Sequence, residues 1–193
     1  MILKVVTQPT EEPVSIDEAK EHLRVDIADE DAYIASLITG ARFAAEQIAR
    51  RAFVSRTLDF SLTGWPCENY IMLPRPPLVS VGSVSYVDSS GTTQTLSTDD
   101  YVVDAASEPG RVWLNYGKTW PTVSLRPGPA ITVRYVAGYG AAVDVPMQYK
   151  QAMLLMIGHF YENREEIVIQ SGAVAVEMPL AAQSLLMMDR GWF

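Results

Sequence analysis

The spacing of apolar positions changes twice along the chain. From about residue 15 to 51 they recur every three or four positions, from 56 to 137 they alternate with polar ones, and from 145 the helical spacing returns. The densest stretch is 145–166. Pro146 suits a first helical turn, where its missing N–H is not needed and its fixed φ is already helical. Ala152, Leu155, Met156, His159, Phe160 and Asn163 follow as a stripe, which Met153, Ile157 and Tyr161 widen to most of the circumference. This predicts a central helix covered on nearly all sides. Five large apolar side chains buried there contribute about 10 kcal/mol at roughly 2 each.

The other elements are read against that helix. Residues 1–13 form an extended arm ended by Pro9 and Pro13. Ser15 and Glu18 make a capping box, opening a short helix with Ile16, Ala19 and Leu23 on one face. A second helix runs from about residue 29 to 51, its carboxylates Asp29, Glu30 and Asp31 placed where the macrodipole favours them. Its apolar line is Tyr33/Ile34, Leu37/Ile38, Ala41, Ala44/Ala45 and Ile48. Arg50 and Arg51 complement its C-terminal end. Gly40, Ala41, Ala44 and Ala45 let a partner come close, and the central helix is the candidate.

Between the helical stretches, Leu58, Phe60 and Leu62 alternate as in a strand, and Ile71, Met72 and Leu73 form a short one before Pro74 to Pro77. Across 78–88 the apolar phase slips beside Gly82, from Val79 and Val81 to Val84 and Tyr86, which predicts a β-bulge. Asp88 to Gly91 turn the chain into 92–96, and 101–104, 111–115 and 130–137 bring the total to about seven strands. Beyond the central helix, 167–176 is apolar but broken by Ser171 and Gly172. Pro179 then opens a last helix over 180–188. The fold class is α+β: a helical body made of 1–54 and 141–193, enclosing an inserted antiparallel β lobe, 55–140.

Composition narrows the function by exclusion. At 193 residues, 48% hydrophobic and with mean hydropathy near zero, the chain can bury a core, and no run reaches membrane-span length. The first residues carry no signal-peptide pattern, and the single cysteine, Cys67, precludes an internal disulfide framework. A net charge of −8 argues against a broad grip on nucleic-acid phosphates. Nine acidic residues lie within 1–31, an excess that serves solubility or lets nucleic acid slide past without sticking.

Candidate chemistry is sparse. His159 and Glu162 sit at i, i+3 but have no second such pair, so packing explains His159 better than metal binding. Asp26 to Asp31 lack the central glycine and distant glutamate of a calcium loop. Cys67 has no adjacent base, and neither a phosphate-binding glycine loop nor a nucleophile elbow occurs. Trp113, Tyr116 and Trp120 surround Gly117 and Lys118, and Trp65 lies near Tyr70. These rings are either a stacking or sugar-binding platform or the core and rim of the β lobe. No enzymatic activity, metal or cofactor is read from the residues.

Several segments together resemble the head–tail connector, or adaptor, proteins of long-tailed bacteriophages and phage-derived gene-transfer particles. They are Ser15 through Asp26 (SIDEAKEHLRVD) with the acidic start of the second helix, Leu73 through Leu78 (LPRPPL) and Ser83 through Asp88 (SVSYVD). Val133 through Gly140 (VRYVAGYG) and His159 through Glu165 (HFYENRE) complete the set. The resemblance implies a structural virion protein without catalytic residues or cofactor, assembled in the bacterial host cytoplasm and with no membrane partner. Such adaptors form a ring, typically of twelve copies, beneath the portal protein. The ring continues the channel for duplex DNA, which passes without specific binding, and presents the surface for the next neck or tail-completion protein. C-terminal segments of related adaptors dock on the portal. Here residues 178–193 carry a heavy apolar load, so Leu185, Leu186, Met188, Trp192 and Phe193 are the expected portal or subunit interface, unless the segment folds back on the central helix. Asp29, Glu30 and Asp31 are the expected channel-facing acids. The alternative is a tail-associated β module that recognises a glycan or another virion protein.

Overall fold

A computed structural model describes residues 1–163 and 179–190. Contacts divide them into two units, a β unit of Met1–Thr10 with Val54–Tyr139 and a helical unit formed by Glu11–Phe53 and the described part of Gly140–Arg190.

The helical unit contains α1 (Ile16–Leu23), α2 (Asp31–Ala49), α3 (Met147–Glu162) and α4 (Leu180–Met187). The capping box is present: the Glu18 N–H donates to Ser15 Oγ at 3.1 Å, and the Ser15 N–H donates to Glu18 Oε2 at 2.7 Å. α2 begins at Asp31, two residues later than expected. It buries Ile34, Ile38, Ala41, Ala45 and Ala49, and it packs on α3. Gly40 faces outward.

On α3 the buried line is Tyr149, Ala152, Met153, Met156 and Ile157, while Leu155, His159 and Phe160 are only half-buried. The stripe is therefore rotated from the expected one. A helix apolar on most sides fixes no rotation by itself. Tyr149 fixes it, fully covered and stacked on Phe53 with centroids 4.7 Å apart. α3 ends at Glu162, short of the expected 166; 164–178 lie outside the described residues.

α4 packs on α3 and α2 through Ala182 and Leu186. Arg50 is the left-handed residue that closes α2, at φ 55°. The Arg51 side chain instead reaches the end of α4, where Nε donates to the Asp189 carbonyl at 2.7 Å and Nη2 to Asp189 Oδ1 at 2.9 Å. The Tyr149 hydroxyl donates to Asp189 Oδ2 at 3.1 Å. Two further charges are buried on α2. Arg42 Nε donates to Glu12 Oε2 at 2.6 Å and Nη1 to Glu46 Oε2 at 3.4 Å, while the Phe53 N–H donates to Glu46 Oε1 at 3.0 Å. Pairing is what makes this burial tolerable.

The β unit has eight strands: β1 (Ile2–Thr7), β2 (Arg56–Leu62), β3 (Tyr70–Met72), β4 (Leu78–Val87), β5 (Thr93–Thr95), β6 (Tyr101–Asp104), β7 (Arg111–Leu114) and β8 (Ile131–Ala137). They form two antiparallel sheets, ordered β1-β2-β8-β4-β5 and β3-β7-β6. Leu58, Phe60 and Leu62 lie opposite Tyr135, Val133 and Ile131, so the alternation read in both strands buries one shared face. The β4–β8 register shifts between Val81 and Ser83, at the bulge expected beside Gly82, and again between Leu78 and Ser80. The N-terminal arm is a strand: Ile2–Thr7 pairs with β2, and residues 1–10 group with the β unit instead of the helices.

Candidate assembly surfaces

The expected channel-facing acids are not three free charges. Lys20 Nζ meets Asp31 Oδ1 at 2.7 Å, tying the end of α1 to the start of α2. Glu30 accepts a hydrogen bond from the Tyr161 hydroxyl, and the Tyr161 ring lies 6.2 Å from that of Tyr33. Asp29 is exposed. Two of the three therefore hold helix ends together, a role that the sequence spacing does not reveal.

Charge is nevertheless partitioned sharply. Among the described residues the helical unit carries thirteen Asp and Glu against seven Lys and Arg, whereas the β unit carries seven of each.

Residues 179–190 fold back on the chain's own helices. Leu186, expected at an interface, has no exposed surface, and Leu185 is half-buried. The reason is local: Ala182 and Leu186 stand four residues apart on one helical face, and that face meets α3. The opposite side remains open, with Met188 77% and Leu180 75% exposed. Trp192 and Phe193 lie outside the described residues, as does the 167–176 stretch.

The aromatic rings of the β unit cover one another. Trp65 stacks on Trp120 with centroids 4.9 Å apart and planes at 7°, and meets Tyr86 edge-on. The Trp120 indole N–H donates to the Glu68 carbonyl at 2.9 Å. Tyr70 packs on Trp113, and the Arg111 guanidinium lies over both. All five rings are half-buried, and Tyr116 is fully exposed beside them. An apolar groove of about 440 Å³ runs past Met1, Phe60, Leu62, Tyr70 and Met72, with Glu68 as the only charged side chain in its lining.

His159 packs near Phe160, and Asn163 Nδ2 donates to its carbonyl, while Glu162 points to solvent. Among the described residues no cluster of His, Cys, Asp or Glu is placed to hold a metal ion, and no helix is long and apolar enough to cross a membrane.

No protein-family model and no curated protein matches the chain. Solved structures do. A chain in the neck of an empty gene transfer agent particle, computed with C6 symmetry, superposes with TM-score 0.80 at 25% identity, over 100% of this chain and 97% of that one. A chain in the virion of a native gene transfer agent particle gives 0.78 at 24% identity, again over 100% and 97%. A third, in the neck of the native particle computed with C12 symmetry, gives 0.76 at 24% identity with the same coverage. The segments that carry the sequence resemblance and the fold shared over the whole chain agree: the chain is similar, end to end, to chains of gene transfer agent necks, which supports a structural protein of the phage head–tail connector type.

Proposed function

We propose that this chain is the adaptor of the neck. Copies of it, twelve in number, form a ring beneath the portal protein, continue the DNA channel towards the tail and present the attachment surface for the next neck or tail-completion protein. The observation that carries this reading is the whole-chain match to a component of a neck that was itself computed with C12 symmetry. The partition of charge supports it. A helical unit in marked acidic excess repels duplex DNA, which suits a conduit through which DNA passes without binding. In this role Asp29 faces the channel, and Glu30 and Asp31 set the ends of the helices that line it.

Portal docking falls to the outward side of α4, Leu180, Leu185 and Met188, together with Trp192 and Phe193. Exposed methionine and leucine side chains on a helix that the core already holds are ready anchors. Leu186 supports that surface from inside. Assembly takes place in the host cytoplasm, and the protein remains in the virion.

Particles produced without this chain test the proposal. The expected result is DNA-filled heads and separate tails, which join when purified protein is added back. Heads that acquire tails in its absence would overturn the adaptor role.

A further inference from the structure

A closed ring of identical copies needs a heterologous contact, in which each subunit presents two different and complementary surfaces. The β unit offers candidates, because an open sheet ends in strands whose outer N–H and C=O groups have no partner. Among the described residues there are four such ends: β1 and β5 on the larger sheet, β3 and β6 on the smaller. Two are poor templates. β5 is three polar residues, Thr93, Gln94 and Thr95, and β3 is three residues closed off by Pro74.

The other two are apolar. β1 is exposed along all six residues, and Ile2, Leu3, Val5 and Val6 each show more than a third of their surface. β6 exposes Val102 and Val103 side by side. Their charges are opposite. On β1 the one charge is Lys4; Asp59 across the ladder is gripped bidentately by Arg134 at 2.8 Å through both oxygens, so the cationic character remains in excess there. β6 is bounded by Asp99 and Asp100 before it and Asp104 at its end. Lys118 neutralises Asp100 at 2.7 Å and Arg111 stands opposite Asp104 across the ladder, while Asp99 stays exposed and leaves the excess acidic. Pairing β1 with β1 brings Lys4 towards Lys4, and pairing β6 with β6 brings acids together. Only β1 against β6 joins opposite signs.

We propose that neighbouring copies are joined by strand addition: β1 of one subunit pairs with the free edge of β6 in the next, extending that subunit's three-stranded sheet to four. The main-chain hydrogen bonds supply adhesion, and the valines together with the Lys4–aspartate complementarity supply direction. Because the two edges differ, the contact propagates around a ring instead of stopping at a dimer. This rests on the ring reading above and names the surface that closes it.

The test uses the full chain with Cys67→Ser, Val5→Cys and Val102→Cys, cross-linked by a mild oxidant after assembly on heads. A covalent ladder reaching beyond dimers is expected, and no cross-link from either single-cysteine variant. Lys4→Glu is expected to abolish ring formation, and adding Asp99→Lys to restore it; the rescue separates the contact from the monomer stability that Lys4→Glu loses opposite Asp59. Rings of the double-cysteine variant that form without a covalent ladder overturn the strand contact and leave the adaptor role intact, as do Lys4→Glu rings that form normally. Dimers from a single-cysteine variant also overturn it, by showing a like-with-like contact. A wild-type chain that reaches heads only as single copies overturns both.

Discussion

Leu186→Ala separates two roles for the C-terminal helix. Leu186 has no exposed surface, and the change removes three carbons from a face that meets α3. At about 0.8 kcal/mol per buried carbon the transfer loss is roughly 2.4 kcal/mol. A residual cavity raises the loss, and measured leucine-to-alanine costs lie at about 2–5 kcal/mol. α4 has only eight residues, so it can settle partly into the space, and the expected cost is about 3 kcal/mol. Met188, 77% exposed two residues on, serves as the control, and Met188→Ala should change stability by less than about 0.5 kcal/mol. Urea denaturation followed by far-UV circular dichroism measures both. Equal costs, or a neutral Leu186→Ala, would refute the placement of α4 on its own core. The two variants should exchange rank in an assembly assay, with Met188→Asp failing to join portal while still folding.

Three further predictions test the interior and the caps. Glu46→Ala removes the acceptor of the buried Phe53 N–H and one partner of Arg42, which keeps Glu12, so the expected cost is about 3 kcal/mol in urea titration; a loss under about 1 kcal/mol would contradict the buried network. The Ser15 N–H holds the Glu18 carboxyl below its ordinary value, so its contribution is present above that value and is lost as pH falls through the lower, folded-state one. Glu18→Gln should therefore lower the melting temperature at pH 7 and leave it unchanged near pH 2, and a gap constant with pH would refute this. Gly138 sits at φ 135°, and a Cβ there would lie 2.5 Å from the Ser55 nitrogen, so Gly138→Ala should cost about 2 kcal/mol or more by thermal melt, with a neutral result counting against the close β8–β2 approach.

What was legible in the sequence was local. The capping box spans three residues, the alternation in β2 and β8 lies within single strands, and the bulge at Gly82 shows as a slip of phase. β1 does not show as a strand because Ile2, Leu3, Val5 and Val6 have no polar-apolar alternation, and a strand exposed on both faces has none to offer. The division of the strands into two sheets is equally hidden, since pairing partners are remote. The rotation of α3 depends on Phe53, far upstream. Arg51 finds Asp189 across 138 positions, and Tyr161 finds Glu30 across 131. Glu30 and Asp31 also hold helix ends, through Tyr161 and Lys20, and Leu186 is buried, features that spacing along the chain does not reveal. Removing residues 189–193 takes away the Arg51 and Tyr149 partner, so such a truncation is expected to lose stability. The function was legible only as a set of segments in order, because no single one carries chemistry.

The most direct test of the adaptor role is to image the purified full-length protein mixed with its portal by negative-stain electron microscopy. The account predicts a second ring stacked coaxially on one face of the portal, with twelvefold symmetry in end views and a continuous central channel in side views. Portals that remain bare, or that carry isolated copies without a ring, would contradict it.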